Sequence, residues 1–215
     1  MRTIAFVTQK GGSGKSTLAS SLAVAAHEAG ERVFIIDMDP QASLVKWAKT
    51  RGADAPAVEA VSARRLAAAL AAMEKQGVTL AVIDTPGSAS DDTLSAMKAA
   101  DLCIIPARPN VFDLWASDLT RKTIRSLRRD YVFVLNQCPP AQQSARIEEG
   151  AGALEEMGGL ITPLMSARVD YQEAARHGLG VTECAPTSAA AEEMRKLWGS
   201  VKRRLAKGKP VRRAA

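Results

Sequence analysis

Five short runs of almost unbroken apolar character recur along the chain: Thr3–Thr8, Arg32–Asp37, Leu80–Asp84, Leu102–Ala107 and Tyr131–Asn136. Each is rich in β-branched or aromatic residues and is bounded by Gly, Pro or Asp. Strands that alternate apolar and polar have one wet face; strands without alternation are covered on both faces, as in a parallel sheet. Between the runs the apolar positions take helical spacing, over Lys15–Ala29, Ala42–Lys49, Ala63–Lys75, Asp91–Ala99, Phe112–Arg128 and Ser144–Met157. The alternation predicts an α/β fold, a mostly parallel twisted sheet with helices on both faces. Two more helices are expected near Tyr171–His177 and Ser188–Ala206, the last ended by Gly208 and Pro210. The Ala-rich stretch Leu66–Met73 reads as a plain surface helix, since Ala is the best helix former. Trp47, Trp115 and Trp198 fall on predicted helices and are expected to pack. With no Pro/Ser-rich linker in view, residues 1–206 form one domain and residues 207–215 a loose basic tail.

Composition narrows the class. Of 215 residues, 47% are hydrophobic and 24% charged, which excludes a largely disordered or collagen-like chain. The apolar runs are far too short to span a bilayer, and the first strand leaves no room for a signal peptide before the first glycines. Cys103, Cys138 and Cys184 are odd in number and widely spaced, with neither a disulfide framework nor a metal pattern. A reducing, cytoplasmic setting is expected. His27 and His177 are isolated, with no partner at metal-ligand spacing.

The net charge of +6 is unevenly placed. Arg195, Lys196, Lys202, Arg203, Arg204, Lys207, Lys209, Arg212 and Arg213 crowd the last 22 residues, which hold no acid; the rest sets 20 basic residues against 23 acidic ones. Such a segment suits a polyanion or simply solubilises the end. Leu197, Val201 and Leu205 give the last helix one apolar stripe. It either packs on the body, the favoured reading, or lies on a membrane with its basic neighbours. The cluster Arg121, Lys122, Arg125, Arg128 and Arg129 reads as a solvated helix face.

The most informative stretch runs from Gln9 to Thr17, between a strand and a helix: Gln9-Lys10-Gly11-Gly12-Ser13-Gly14-Lys15-Ser16-Thr17. Glycines let backbone N–H groups close on an anion, and the following helix adds its positive end. In such a loop Lys15 reaches the β- and γ-phosphates and Ser16 sits on Mg²⁺. The usual pattern opens with Gly where this chain has Gln9, and Lys10 follows, so the loop is a variant form. Two strands end in acids, at Asp37-Met38-Asp39-Pro40-Gln41 and Asp84-Thr85-Pro86-Gly87. Ligands of open parallel sheets bind beyond the strands' carboxyl ends, so these carboxylates converge on the loop. Asp84 is the expected direct or water-mediated Mg²⁺ ligand, Asp39 could hold an attacking water, and Gly87 could offer its N–H to the γ-phosphate. Each Asp could instead cap a helix.

These motifs resemble the ParA/MinD family of deviant-Walker P-loop ATPases, most of all its short, ParF-like ParA type. The resemblance extends through Ile104–Asp113, Tyr171–Ala174, Gly178 and Ala189–Leu197, and implies a single P-loop NTPase domain using ATP and Mg²⁺. It makes Lys10 the signature lysine that crosses an ATP-bridged homodimer, Asp39 the catalytic aspartate, and Asp37 with Ser16 the Mg²⁺ shell beside Asp84. Lys10, Lys15 and Asp39 are then the catalytic set. Nucleotide contacts fall to Lys10, Gly11, Gly12, Ser13, Gly14, Lys15, Ser16, Thr17 and Gly87. Asn136 matches the asparagine that reads adenine in many members, or it caps the next loop; Cys138-Pro139-Pro140 departs from the family's usual residues there. The implied activity is slow ATP hydrolysis in a positional switch. The ATP dimer binds nucleoid DNA without sequence preference, and a ParB-like centromere-binding protein or another cargo adaptor triggers hydrolysis. Plasmid or chromosomal DNA is the expected cargo. A protein cargo, such as a chemotaxis cluster or carboxysome, and a membrane-bound MinD-like regulator are the alternatives.

Overall fold

The alternation of side chains along each strand divides the interior into two cores. Ile4 and Phe6, Val33 and Ile35, Leu80 and Val82, Leu102 and Ile104, and Val132 and Val134 face one side of the sheet. Ala5 and Val7, Ile36, Ala81 and Ile83, Cys103 and Ile105, and Phe133 and Leu135 face the other. Both faces are covered, so both positions of the period-two repeat are apolar and the runs look continuous.

The computed structural model describes residues 1–139 and 145–208. The strands are β1 (Arg2–Phe6), β2 (Val33–Asp37), β3 (Ala57–Ala60), β4 (Leu80–Asp84), β5 (Leu102–Ala107) and β6 (Tyr131–Leu135). They form one sheet in the order β3-β2-β4-β1-β5-β6, with every pairing parallel. The helices are α1 (Lys15–Glu28), α2 (Ser43–Thr50), α3 (Ala63–Lys75), α4 (Asp91–Ala99), α5 (Val111–Ser126), α6 (Ala145–Met157), α7 (Val169–Arg176), α8 (Val181–Cys184) and α9 (Ala189–Lys207). The first core lies under α1, α2, α7, α8 and α9, and the second under α3, α4, α5 and α6. Chain leaving β1 goes to β2 on one side, while β4 crosses over to β5 on the other. The sheet's switch point, where ligands of such sheets bind, is therefore at β1.

Two expectations are corrected, and one short helix is added. The apolar pattern predicts no strand at Ala57–Ala60, yet β3 forms there. It is a half-exposed edge strand of four residues, so it carries no apolar run. α8 is a single turn, closed by Glu183 Oε2 accepting the Gly180 N–H at 2.9 Å. Trp47 and Trp198 pack, but Trp115 is 65% exposed. The stripe of α9 is buried against the first core, with Leu197 and Val201 at 0% exposure and Leu205 at 7%, so it is not available to a membrane surface. Among the described residues no helix is long and apolar enough to cross a membrane. Lys207, expected at the start of the loose tail 207–215, is the last residue of α9; residues 209–215, with Lys209, Arg212 and Arg213, lie outside the described residues.

Candidate nucleotide site

Several helix starts in this fold are given side-chain acceptors. Ser90, Asn110 and Ser188 cap α4, α5 and α9 with their own side chains. α2 receives Asp37, whose Oδ2 accepts the Leu44 and Val45 N–H groups at 2.9 and 3.1 Å. α1 has no side-chain cap and no acid in its first turn. It begins at Gly14, whose φ of 87° suits glycine. Its open amides and positive end face the loop from Gln9 to Gly14.

The loop is braced from three sides. Gly87, after β4, packs so closely that a Cβ there would come within 2.9 Å of Gly11 Cα. Beyond β6, Asn136 Nδ2 donates to Ser13 O at 2.8 Å and Gln137 Nε2 to Gly12 O at 3.2 Å. A Cβ on Gly14 would lie 2.5 Å from Asn136 Nδ2. Asn136 thus ties down the phosphate loop. Among the described residues its second N–H and its Oδ1 have no partner.

Inside the loop Lys15 is buried, its Nζ 3.5 Å from Lys10 O. Burial lowers its pKa, while the nearby Asp84 and Asp39 carboxylates oppose the drop. The register places Asp37 beside Asp84 at adjacent strand ends. Ser16 Oγ donates to Asp84 Oδ2 at 2.5 Å. Burial pushes the Asp84 carboxyl up to about 7, and the Asp37 and Asp39 charges add to the rise against the Ser16 hydrogen bond. Burial also raises Asp37, although the Val45, Asp39 and Leu44 N–H groups hold its charged form. Asp39 is half-buried, and its Oδ1 accepts the Gln41 N–H at 2.9 Å.

Asp84 Oδ1 is buried without a partner. An orphan carboxylate oxygen with a serine hydroxyl on its other oxygen, and the charges of Asp37 and Asp39 nearby, suits a hard cation. Among the described residues no three His, Cys, Asp or Glu side chains converge enough to hold a metal alone. That fits Mg²⁺, which takes one or two protein oxygens and fills its shell with phosphate and water.

Two cavities adjoin the loop. One of about 560 Å³ runs along Gly11, Gly12, Gly14–Thr17, Asp39–Gln41 and Pro86–Ser88. The second, of about 350 Å³, is lined by Gly14, Thr17, Asn136, Gln137, Arg168 and Tyr171 among others. They share Gly14 and Thr17.

The family model described as the CobQ/CobB/MinD/ParA nucleotide binding domain matches residues 4–181, from β1 to the start of α8. The chain belongs to this family. In the CobQ/CobB/MinD/ParA family it is 29% identical over 209 residues to maintenance of carboxysome distribution protein A of Halothiobacillus neapolitanus, covering 93% of this chain and 95% of that one. It is 30% identical over 170 residues to the chromosome partitioning protein ParA of Caulobacter vibrioides, covering 60% and 64%. The fold matches that of the septum site-determining protein MinD of Pyrococcus horikoshii, complexed with Mg-ADP, with a TM-score of 0.73 at 19% identity over 96% of this chain and 97% of that one.

The structure gathers Gly11–Thr17, Asp37, Asp39, Asp84, Gly87 and Asn136 around one loop, with the Lys10 amine turned away onto Asp113, and it adds residues that family motifs did not name. Gln137 braces Gly12 from a residue with φ of 55°. Arg108 lies over the loop, its guanidinium 3.7 Å from where a Gly12 Cβ would be. It is bonded to Asp113 together with Lys10. Lone charges after a strand carry no signal in sequence; only the fold shows that they meet.

Proposed function

We propose that this chain is an ATP-driven positional switch. Its ATP form is a face-to-face homodimer that holds a polyanionic surface such as nucleoid DNA, and an adaptor on the cargo triggers hydrolysis. The observation that carries the reading is the unequal use of two lysines. Lys15 points into its own loop, whereas the Lys10 amine turns away from it onto Asp113, 2.7 Å distant. A lysine not spent on its own nucleotide is available to a partner's.

In this reading the amides of Gly11 to Thr17 and the start of α1 take the phosphates, and Lys15 offsets their charge. Asp84, Ser16 and Asp37 would hold Mg²⁺, which supplies charge neutralisation at the phosphate oxygens when bound. Asp39, fixed by the Gln41 N–H, would orient the water, and Gly87, packed against Gly11, would offer its N–H to the γ-phosphate. The remaining N–H and Oδ1 of Asn136 form the paired set that an adenine edge needs. Phosphates then occupy the larger cavity and the nucleoside the smaller.

The solvent side of α9 supports the DNA surface, since Arg195, Lys196, Lys202, Arg203, Arg204 and Lys207 are all exposed. Lys196, Lys202 and Arg204 pair with Glu192, Glu31 and Asp130. Exposed pairs are worth about 0–1 kcal/mol and yield readily to phosphate. Two cargo classes fit. The carboxysome-distribution relative is matched over nearly its whole length and the chromosome-partitioning one over 64%, which favours a protein assembly over a centromere complex.

Size-exclusion chromatography with light scattering tests the switch. The wild type should be monomeric without nucleotide and dimeric with ATP and Mg²⁺. Lys15→Ala should lose nucleotide, and Lys10→Ala should bind it without dimerising. A Lys10→Ala protein that dimerises and turns over like wild type removes Lys10 from the partner's site.

A further inference from the structure

Asp113 is a buried carboxylate with more cations than it needs. Its side chain is 2% exposed in the first turn of α5. Oδ2 accepts from Lys10 Nζ at 2.7 Å and from Arg108 Nη2 at 3.1 Å, and Oδ1 from Arg108 Nε at 3.0 Å. Its own N–H donates to Asn110 Oδ1 at 3.0 Å. Burial opposes its ionisation, yet the hydrogen bonds from Arg108, Lys10 and Asn110 hold its carboxyl below the usual range.

One negative charge does not neutralise two positive ones, and the two cations hold on differently. Arg108 grips through a planar fork, whereas Lys10 is a point charge on a flexible stem. Withdrawing the only partner of a buried carboxylate is strongly unfavourable. Here Lys10 can leave and Asp113 keeps both guanidinium bonds. Lys10 also lies over the Phe112 ring, 5.4 Å from its centroid, and Phe112 is 64% exposed. The resting position of the lysine is thus at the open edge of the site.

We propose that Asp113 holds Lys10 on its own subunit, and that Arg108 makes the hold reversible by keeping Asp113 paired when Lys10 moves to the partner's nucleotide. The proposal rests on the dimer reading above and names how that site is regulated. Arg108 and Asp113 are positioning residues: they act on the dimer through Lys10.

Four proteins test it: wild type, Asp113→Asn, Arg108→Ala and the double variant. The first readout is trace acetylation of Lys10 in the nucleotide-free protein, mapped by mass spectrometry against the exposed Lys49 and Lys75. Asp113→Asn should raise Lys10 labelling at least threefold, and Arg108→Ala should lower it, because Lys10 becomes the one cationic partner of Asp113 among the described residues, beside the Arg108 backbone N–H. The second readout is the ATP concentration at half dimerisation. Arg108→Ala should raise it about tenfold, and the double variant should return it to the wild-type value or below. Unchanged Lys10 labelling in Asp113→Asn overturns the hold. A double variant as defective as Arg108→Ala overturns the release role, because Arg108 would then act on phosphate directly. If wild type never dimerises with ATP, the switch reading fails, and the labelling ratios alone still decide whether Asp113 holds Lys10.

Discussion

Ser16 Oγ lies 2.5 Å from Asp84 Oδ2, a hydrogen bond that joins the first turn of α1 to the end of β4. It satisfies one oxygen of a fully buried carboxylate and leaves the other without a partner. The folded protein keeps a proton on Asp84 up to about pH 7, against 3.8 for the ordinary group. Stability from this group is therefore complete below about pH 4 and is lost as pH rises through 7.

Asp84→Asn should stabilise the cation-free protein at pH 8 and change little at pH 4.5. A rise of about three units sets a ceiling near 4 kcal/mol. Realising even a quarter of it raises Tm by about 2–4 °C in a chain of this size. Thermal melts in EDTA at both pH values check this, and equal shifts at the two would show that Asp84 does not titrate there. The same variant should lose the Mg²⁺ dependence of ATP binding.

Asp39→Ala should bind ATP and lose at least tenfold in turnover, with a longer-lived dimer as the result. Tenfold corresponds to about 1.4 kcal/mol in the barrier. Phosphate release under saturating ATP measures it. Turnover within twofold of wild type would reduce Asp39 to the acceptor for the Gln41 N–H.

Gly87→Ala should cost about 1–3 kcal/mol of stability and at least tenfold in nucleotide affinity, because the new methyl meets loop backbone and not a movable side chain. Gly152→Ala is the control. Nothing lies within 4 Å of its Cβ position on α6, so it should gain up to about 1 kcal/mol. Urea titration and fluorescent-nucleotide binding separate the two. Wild-type affinity in Gly87→Ala would show that the loop moves aside freely.

Arg203→Ala and Lys207→Ala should flatten the salt dependence of duplex binding by the ATP form, by about 0.9 in slope for each phosphate no longer neutralised. Affinity should fall alike for unrelated sequences, since phosphate contacts carry no base information. A mobility-shift series over salt decides. An unchanged slope moves the surface off α9.

The sequence carried the frame and the phosphate loop well, for physical reasons. Strands buried on both faces must be apolar throughout, so five of six were legible, and the glycines of the loop announce themselves. β3 was not, because an edge strand such as Ala57–Ala60 needs only partial cover. Trp115 was misread because helical periodicity says which residues share a face, not which face is covered. Asn136 was open between reading a base and capping a loop, and what it does, holding Ser13 O, is a contact 123 residues away along the chain. The pairing of Arg108, Asp113 and Lys10 was equally out of reach, since it depends on β1 and β5 being neighbours in the sheet.

The sheet stands between two helical layers that share no core. The basic helix α9 belongs to one layer; α5, with Phe112, Trp115 and the hold on Lys10, belongs to the other. At about 10 Å per packed layer, the outer faces are roughly 20 Å or more apart through the molecule. A bulky surface gripping α9 and a protein touching α5 do not compete for space. In the proposed switch, a subunit held by a polyanion at α9 would keep α5 and the Lys10 site open on the opposite face.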